Sequence, residues 1–198
     1  PHRRKVMIKL EEVYESPSAQ GKGPAERAIL RAAIELFGER GYGATSVRQI
    51  ATAAGVTPPL IAYHYDSKEG LFHACIDVAV GGLNGMSAQA IEESKGLSDL
   101  VRGLARVHLN FPQQHPQALR LLLSVFYGPE DSRPAVDIMG EWVELIVEVE
   151  RRVREAIDAG EFTPREGTDT VQLTRQLFRL LHMAVFEAFD REKCGDLP

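Results

Sequence analysis

From about residue 24 to the C-terminal end, apolar residues recur every three or four positions, and no stretch alternates convincingly as a strand would. Ile29, Ala33, Leu36 and Phe37 form the first such stripe, which predicts a helix opening at Pro24 and stopped by Gly41. Ser46, with Gln49 three residues on, is a capping-box pair, so a helix of about two turns is predicted from Val47 to Ala54. Gly55 ends it. Thr57 stands as the next N-cap, and Pro58 and Pro59 fill a first turn in which a missing N–H is tolerated. A fourth helix is predicted after Asp66 or Ser67, carrying Leu71, Phe72, Cys75, Val78 and Ala79 and weakened by Gly81, Gly82 and Gly85. Further helices are predicted at about 97–111, 116–127, 134–159 and 168–191, separated by Pro112, Pro116 and the stretch from Gly160 to Gly167.

The pattern is therefore all-α, with about nine helices. Residues 1–23 mix charge with serine and glycine and read as an arm and linker. Residues 24–72 read as a small helical head, and 73–198 as a larger helical domain. Within the head, two short helices joined by Ala54-Gly55-Val56-Thr57 have the layout of a helix-turn-helix. In that layout the second helix enters the major groove of DNA.

Composition narrows the classes. A chain of 198 residues that is 44% hydrophobic can build real cores. Cys75 and Cys194 lie far apart without a Cys-x-x-Cys, so neither a disulfide framework nor a zinc knuckle is expected. No apolar run approaches the roughly 18 residues of a membrane span, which leads to the expectation of a soluble, cytoplasmic protein with no membrane partner. The net charge of -5 hides an asymmetry. Residues 1–72 hold 10 Lys and Arg against 8 Asp and Glu, and residues 73–198 hold 13 against 20. Such a basic head on an acidic body can dock on DNA without coating it.

The head also carries a resemblance. Ile29-Leu30-Arg31-Ala32-Ala33-Ile34-Glu35-Leu36-Phe37, Gly41-Tyr42, Thr45-Ser46-Val47-Arg48-Gln49-Ile50-Ala51, Ala54-Gly55-Val56-Thr57 and Tyr63-His64-Tyr65-Asp66-Ser67-Lys68-Glu69-Gly70-Leu71 follow one another over residues 25–72 in a way that resembles the DNA-binding signature of the tetracycline-repressor (TetR) family. The resemblance implies a ligand-responsive regulator, released from double-stranded operator DNA by a small-molecule effector. It implies that Thr45, Ser46, Arg48, Thr57, Pro58, Pro59, Ala62, Tyr63, His64 and Lys68 form the DNA-binding face. Arg48 suits a phosphate or a guanine edge. Lys68 and the Tyr63 hydroxyl suit phosphates, His64 is expected to brace the turn, and Tyr65 to pack inside. Ala62 departs from a frequent tyrosine, and Pro58, Pro59 and Leu60 replace polar residues. Contact with thymine methyls and readout of DNA shape both stay open. The Arg3-Arg4-Lys5 arm could enter a minor groove.

In the larger domain, Ile138, Trp142, Leu145, Ile146, Val149, Val153 and Ile157 form one stripe opposed by Glu144, Glu148, Arg151 and Arg154. By resemblance, the last two helices pair with their copies in a homodimer, with Ile146, Val149, Val153, Leu177, Leu181 and Val185 at the interface. His108, Phe111, Phe126, Tyr127, Trp142, His182 and Met183 supply aromatic walls and polar tips for an effector pocket. No Gly-x-Ser-x-Gly, P-loop, dinucleotide fingerprint or His-Glu-x-x-His occurs, and the six histidines make no i, i+4 pair. No catalytic residue, metal or cofactor is expected, so an enzyme is the remote rival. The nearer rival is a ligand- or protein-binding module of the same fold without operator binding.

Overall fold

The computed structural model describes residues 22–137 and 139–194, leaving out the side chains of Glu130, Met139, Glu141, His182 and residues 184–194. The expected basic arm lies outside the described residues. Among them are eight α-helices, one short 3-10 turn and no strand. The helices are α1 (Pro24–Ala44), α2 (Val47–Ala54), α3 (Pro58–Tyr65), α4 (Lys68–Glu93), α5 (Leu97–Gln114), α6 (Pro116–Tyr127), α7 (Met139–Asp158) and α8 (Thr170–Cys194).

Three boundaries differ from the sequence reading. Gly41, with φ 79°, breaks the helical path of α1 as expected, yet a last turn follows to Ala44. Pro112 sits inside α5, in its last turn. The helix predicted from 134 starts only at Met139, because Arg133 folds back onto α6. Its guanidinium donates to the carbonyls of Ser124 (3.3 Å), Val125 and Pro134 (3.2 Å), and so ties the end of α6 to the segment that follows it.

The chain divides into two compact units, and the division falls within α4. Among the described residues, the first joins those up to Gly82 with Gln114–Val136, so α6 shares a unit with α1, α2 and α3. Its core is built from Ile29, Leu30, Ala33, Ile34 and Phe37 of α1, Ile50 of α2, Ile61 of α3, and Leu71, Phe72 and Cys75 of α4. Phe37 and Phe72 meet edge to face at 5.2 Å, and Tyr42 closes on Phe72 at 5.1 Å, an arrangement aromatic quadrupoles favour. Helix α6 packs on α1 through Gly38, where a Cβ would stand 2.5 Å from the carbonyl oxygen of Gln117. One residue further, the Gln117 amide donates to the Glu39 carboxylate at 3.3 Å.

The second unit joins Leu83–Gln113 with the described residues from Asp137 onward. Each helix turns one stripe inward: Leu83, Ser87 and Ile91; Leu100, Leu104, His108 and Phe111; Trp142, Leu145, Val149, Val153 and Ala156; Thr174, Phe178 and Leu181. Arg152 donates to the Ser94 carbonyl (2.8 Å) and hydroxyl (2.6 Å), and Glu161 accepts the first amide of α5 at 3.0 Å. These bonds close loops that lie far apart in sequence.

Candidate nucleic-acid interface

The head is assembled from local signals. Ser46 Oγ accepts the Gln49 amide at 3.3 Å and Gln49 Oε1 accepts the Ser46 amide at 2.8 Å, a reciprocal capping box that fixes where α2 begins. Gly55 then adopts φ 68° and ψ 29°, a left-handed conformation that costs other L-residues energy. The amide of Val56 returns to the Ala51 carbonyl at 3.0 Å, and the chain leaves α2 already turned. Thr57 is the N-cap of α3, but its side chain makes no capping bond. At the far end Asp66 takes φ 58°, and Ser67 rather than Asp66 caps α4, accepting the Gly70 amide at 3.0 Å.

This geometry sorts the predicted residues. Ser46, Arg48, Thr57, Pro58, Pro59, Ala62 and Tyr63 are exposed, Tyr63 at 81%. Lys68 is half-buried, with Nζ 4.0 Å above the centre of the Tyr42 ring, a cation–π contact that holds the ammonium at the start of α4. Burial pulls its pKa below the ordinary lysine value. His64 turns Nδ1 to within 3.7 Å of Glu26 Oε1, which suits a bracing role. Tyr65 is buried, as expected, with its hydroxyl donating to the Glu26 carbonyl at 3.4 Å.

Thr45 is a correction. It is 2% exposed, and its hydroxyl donates to the carbonyls of Gly41 (2.8 Å) and Leu36 (3.1 Å). The break at Gly41 leaves those acceptors open at the end of α1, so Thr45 closes a helix instead of facing a ligand. Two supporting residues were missed. Tyr42 seats Lys68, and Glu26, besides facing His64, accepts the Gly23 amide at 3.0 Å. The spacing of Glu26 from Gly23 was a legible capping signal, whereas Tyr42 and Lys68 are brought together only by folding.

The residues expected at a pocket are divided. His108, Phe111 and Trp142 are buried in the second unit, with His108 Nδ1 2.9 Å from the Leu104 carbonyl and its ring 6.5 Å from that of Phe178. Phe126 and Tyr127 belong to the first unit and are exposed, as is Met183 in the second. Those three are therefore not enclosed walls within their own units. The side chain of His182 lies outside the described residues. Sequence reasoning passed over Ser87 and Thr174, which are fully buried polar residues of the second unit.

The residues expected at the dimer interface are divided as well. Val149, Val153 and Leu181 are buried within the second unit, and Ile146 and Leu177 only partly so. The most regular apolar stripe is the one that fills the protomer's own core. Among the described residues, the exposed large apolar positions of these helices are Val143 and Val147 on α7 and Leu180 and Met183 on α8, each pair a helical turn apart. Between Val143 and Val147 stands Glu144, and Glu148 follows, which hid that face in the sequence. The side chain of Val185 lies outside the described residues.

Residues 29–75 match the family model described as "Bacterial regulatory proteins, tetR family". Over 140 residues the chain is 31% identical to the HTH-type transcriptional regulatory protein RaaS of Mycobacterium tuberculosis, a match that takes in 71% of this chain and 60% of that protein. Among solved structures, the fatty acid degradation regulator FadR of Bacillus halodurans superposes with a TM-score of 0.75 at 20% identity, covering 89% of this chain and 90% of that one. FadR of Bacillus subtilis, solved in complex with stearoyl-CoA, gives a TM-score of 0.66 at 19% identity over 85% and 89%. These two likenesses establish the fold.

Proposed function

We propose that the chain, whose residues 29–75 match the TetR family model, is a homodimeric transcription regulator, most simply a repressor, that leaves its operator when a small molecule binds. The observation that carries the reading is the outward set of the head. Arg48 on α2 and Tyr63 on α3 are offered on the two helices that flank the turn, and half-buried Lys68 stands at the start of α4, the helix that follows. A guanidinium, a phenol and an ammonium in those places suit phosphates on either side of a major groove.

Two heads are needed for two half-sites, so a dimer belongs to the reading. Val143, Val147, Leu180 and Met183 supply a second apolar face on α7 and α8. Two copies would bury eight such side chains at roughly 1.5–3 kcal/mol each as an upper bound, against roughly 4–15 kcal/mol for association. The effector is proposed to bind in the second unit, which holds most of the larger domain, and a structural neighbour solved in complex with stearoyl-CoA supports a small organic ligand. Each tenfold loss of operator affinity then requires about 1.4 kcal/mol of ligand preference for the released conformer. Among the described residues no helix is long and apolar enough to cross a membrane.

The test is fluorescence-anisotropy titration of the protein with DNA from its own upstream region and with random DNA, at several salt concentrations. Wild type should prefer its own DNA. Arg48→Ala with Lys68→Ala should bind weakly and with a salt slope lower by about 2, one for each lost phosphate contact. Equal, weak binding to both DNAs would instead support a module of this fold that does not bind an operator, and hydrolysis or turnover of any substrate would move the reading to an enzyme.

A further inference from the structure

The face that α3 presents is apolar in a way that bears on the bases it can read. Ile61 and Tyr65 point into the core, which leaves Pro58, Pro59, Ala62 and Tyr63 outward and exposed. At steps of about 100° per residue, Pro58, Pro59 and Ala62 fall within an arc of about 100° on one side of the helix. No charged Lys, Arg, Asp or Glu and no Asn or Gln occurs from Pro58 to Tyr65. His64, the one imidazole, faces the Glu26 carboxylate.

The usual anion site at a helix start is also blunted. Two of the first amides are missing because Pro58 and Pro59 have no N–H, and the amide of Leu60 is spent on the Thr57 carbonyl at 3.0 Å. The tip of α3 is thus a small, rigid hydrocarbon platform, edged by the Thr57 hydroxyl. In the major groove one group matches such a platform, the 5-methyl of thymine, while guanine, adenine and cytosine edges ask for donors and acceptors that this face lacks.

We propose that α3 recognises operator DNA through thymine methyl groups packed against Pro58, Pro59 and Ala62, so that these residues determine its sequence specificity. The proposal rests on the regulator reading and names its DNA: half-sites with thymines where the start of α3 enters the groove. Phosphate contacts from Arg48 and Lys68 set the register, and the apolar face selects the base.

The experiment is a thymine-to-deoxyuridine scan of the footprinted operator, one position at a time, with wild-type protein. Deoxyuridine pairs as thymine does and lacks only the methyl group. Burial of one such carbon corresponds to about a fourfold change in affinity, so at least one position per half-site should weaken binding about fourfold. Because no charge is involved, that loss should be equal at low and high salt, unlike the loss in Arg48→Ala. Pro59→Ser, and independently Ala62→Ser, should bind the thymine and uracil operators alike at the position each residue covers. A scan in which no thymine matters overturns the proposal and leaves readout to DNA shape. If no DNA is preferred over random sequence there is no operator to scan, and the regulator reading falls together with this one.

Discussion

Replacing Gly38 by alanine sets two effects of opposite sign against each other. Gly38 lies in the body of α1, where alanine favours the helix by about 0.8–1.0 kcal/mol. The new Cβ would stand 2.5 Å from the Gln117 carbonyl oxygen and 3.2 and 3.3 Å from its carbonyl carbon and Cα, whereas real Cβ contacts essentially never fall below 3.0 Å. All three atoms are backbone in the first turn of α6, next to Pro116, so no side chain can swing away. The helices must part, which also stretches the bond between Gln117 and Glu39. Overpacking of this kind costs about 1–3 kcal/mol. The steric effect prevails, with a net loss of about 1 kcal/mol and a melting temperature lower by about 2–4 °C. Gly85→Ala is the matched control: it too lies inside a helix, with nothing within 4 Å of its Cβ position. There the helix term stands alone, and the protein should gain about 0.5–1 kcal/mol. Thermal melts of both variants beside wild type decide the matter. If Gly38→Ala rises together with Gly85→Ala, the close approach of α1 and α6 is not what the reasoning takes it to be.

His115 is 3% exposed, and burial holds its imidazole down to about 4, against about 6.5 in the unfolded chain. Between those values the unfolded chain binds a proton that the folded one refuses, so stability falls as pH drops from about 6.5 to about 4, by up to about 3 kcal/mol. Urea midpoints should show that decline in wild type and less of it in His115→Asn; equal slopes in the two proteins would contradict it. Val147→Glu or Leu180→Glu should give folded monomers in sedimentation, whereas Val149→Glu, at a position 0% exposed, should fail to fold. A dimer that survives both surface substitutions would place the interface elsewhere. Ser46→Ala removes the acceptor of the Gln49 amide and should lower stability by about 1 kcal/mol, read as a lower urea midpoint.

The head was legible in the sequence because its signals are local. A capping box spans four residues, a left-handed glycine needs only its neighbours, and a proline pair announces a helix start whatever surrounds it. Each of these placed α2, the turn and α3 where the structure has them. Thr45 failed for an instructive reason: the acceptors of its hydroxyl, Leu36 and Gly41, become available only once α1 has ended and the chain has turned back.

Along α7 and α8, hydrophobic periodicity determined that the helices exist and that they are amphipathic. It could not assign each face to a partner, because a stripe that fills a core and a stripe that meets a second molecule obey the same helical spacing. Packing made the choice: Val149, Val153 and Leu181 went inward with Trp142 and Phe178, and Val143, Val147, Leu180 and Met183 were left outside. The same holds for α6, which as a sequence is an ordinary amphipathic helix and in the structure is the partner of α1 through the bare backbone at Gly38. Helices, caps and turns follow from interactions across a few bonds of chain, and the sequence carries them complete. Which surfaces meet depends on close packing among residues tens of positions apart, and only the tertiary structure decides it.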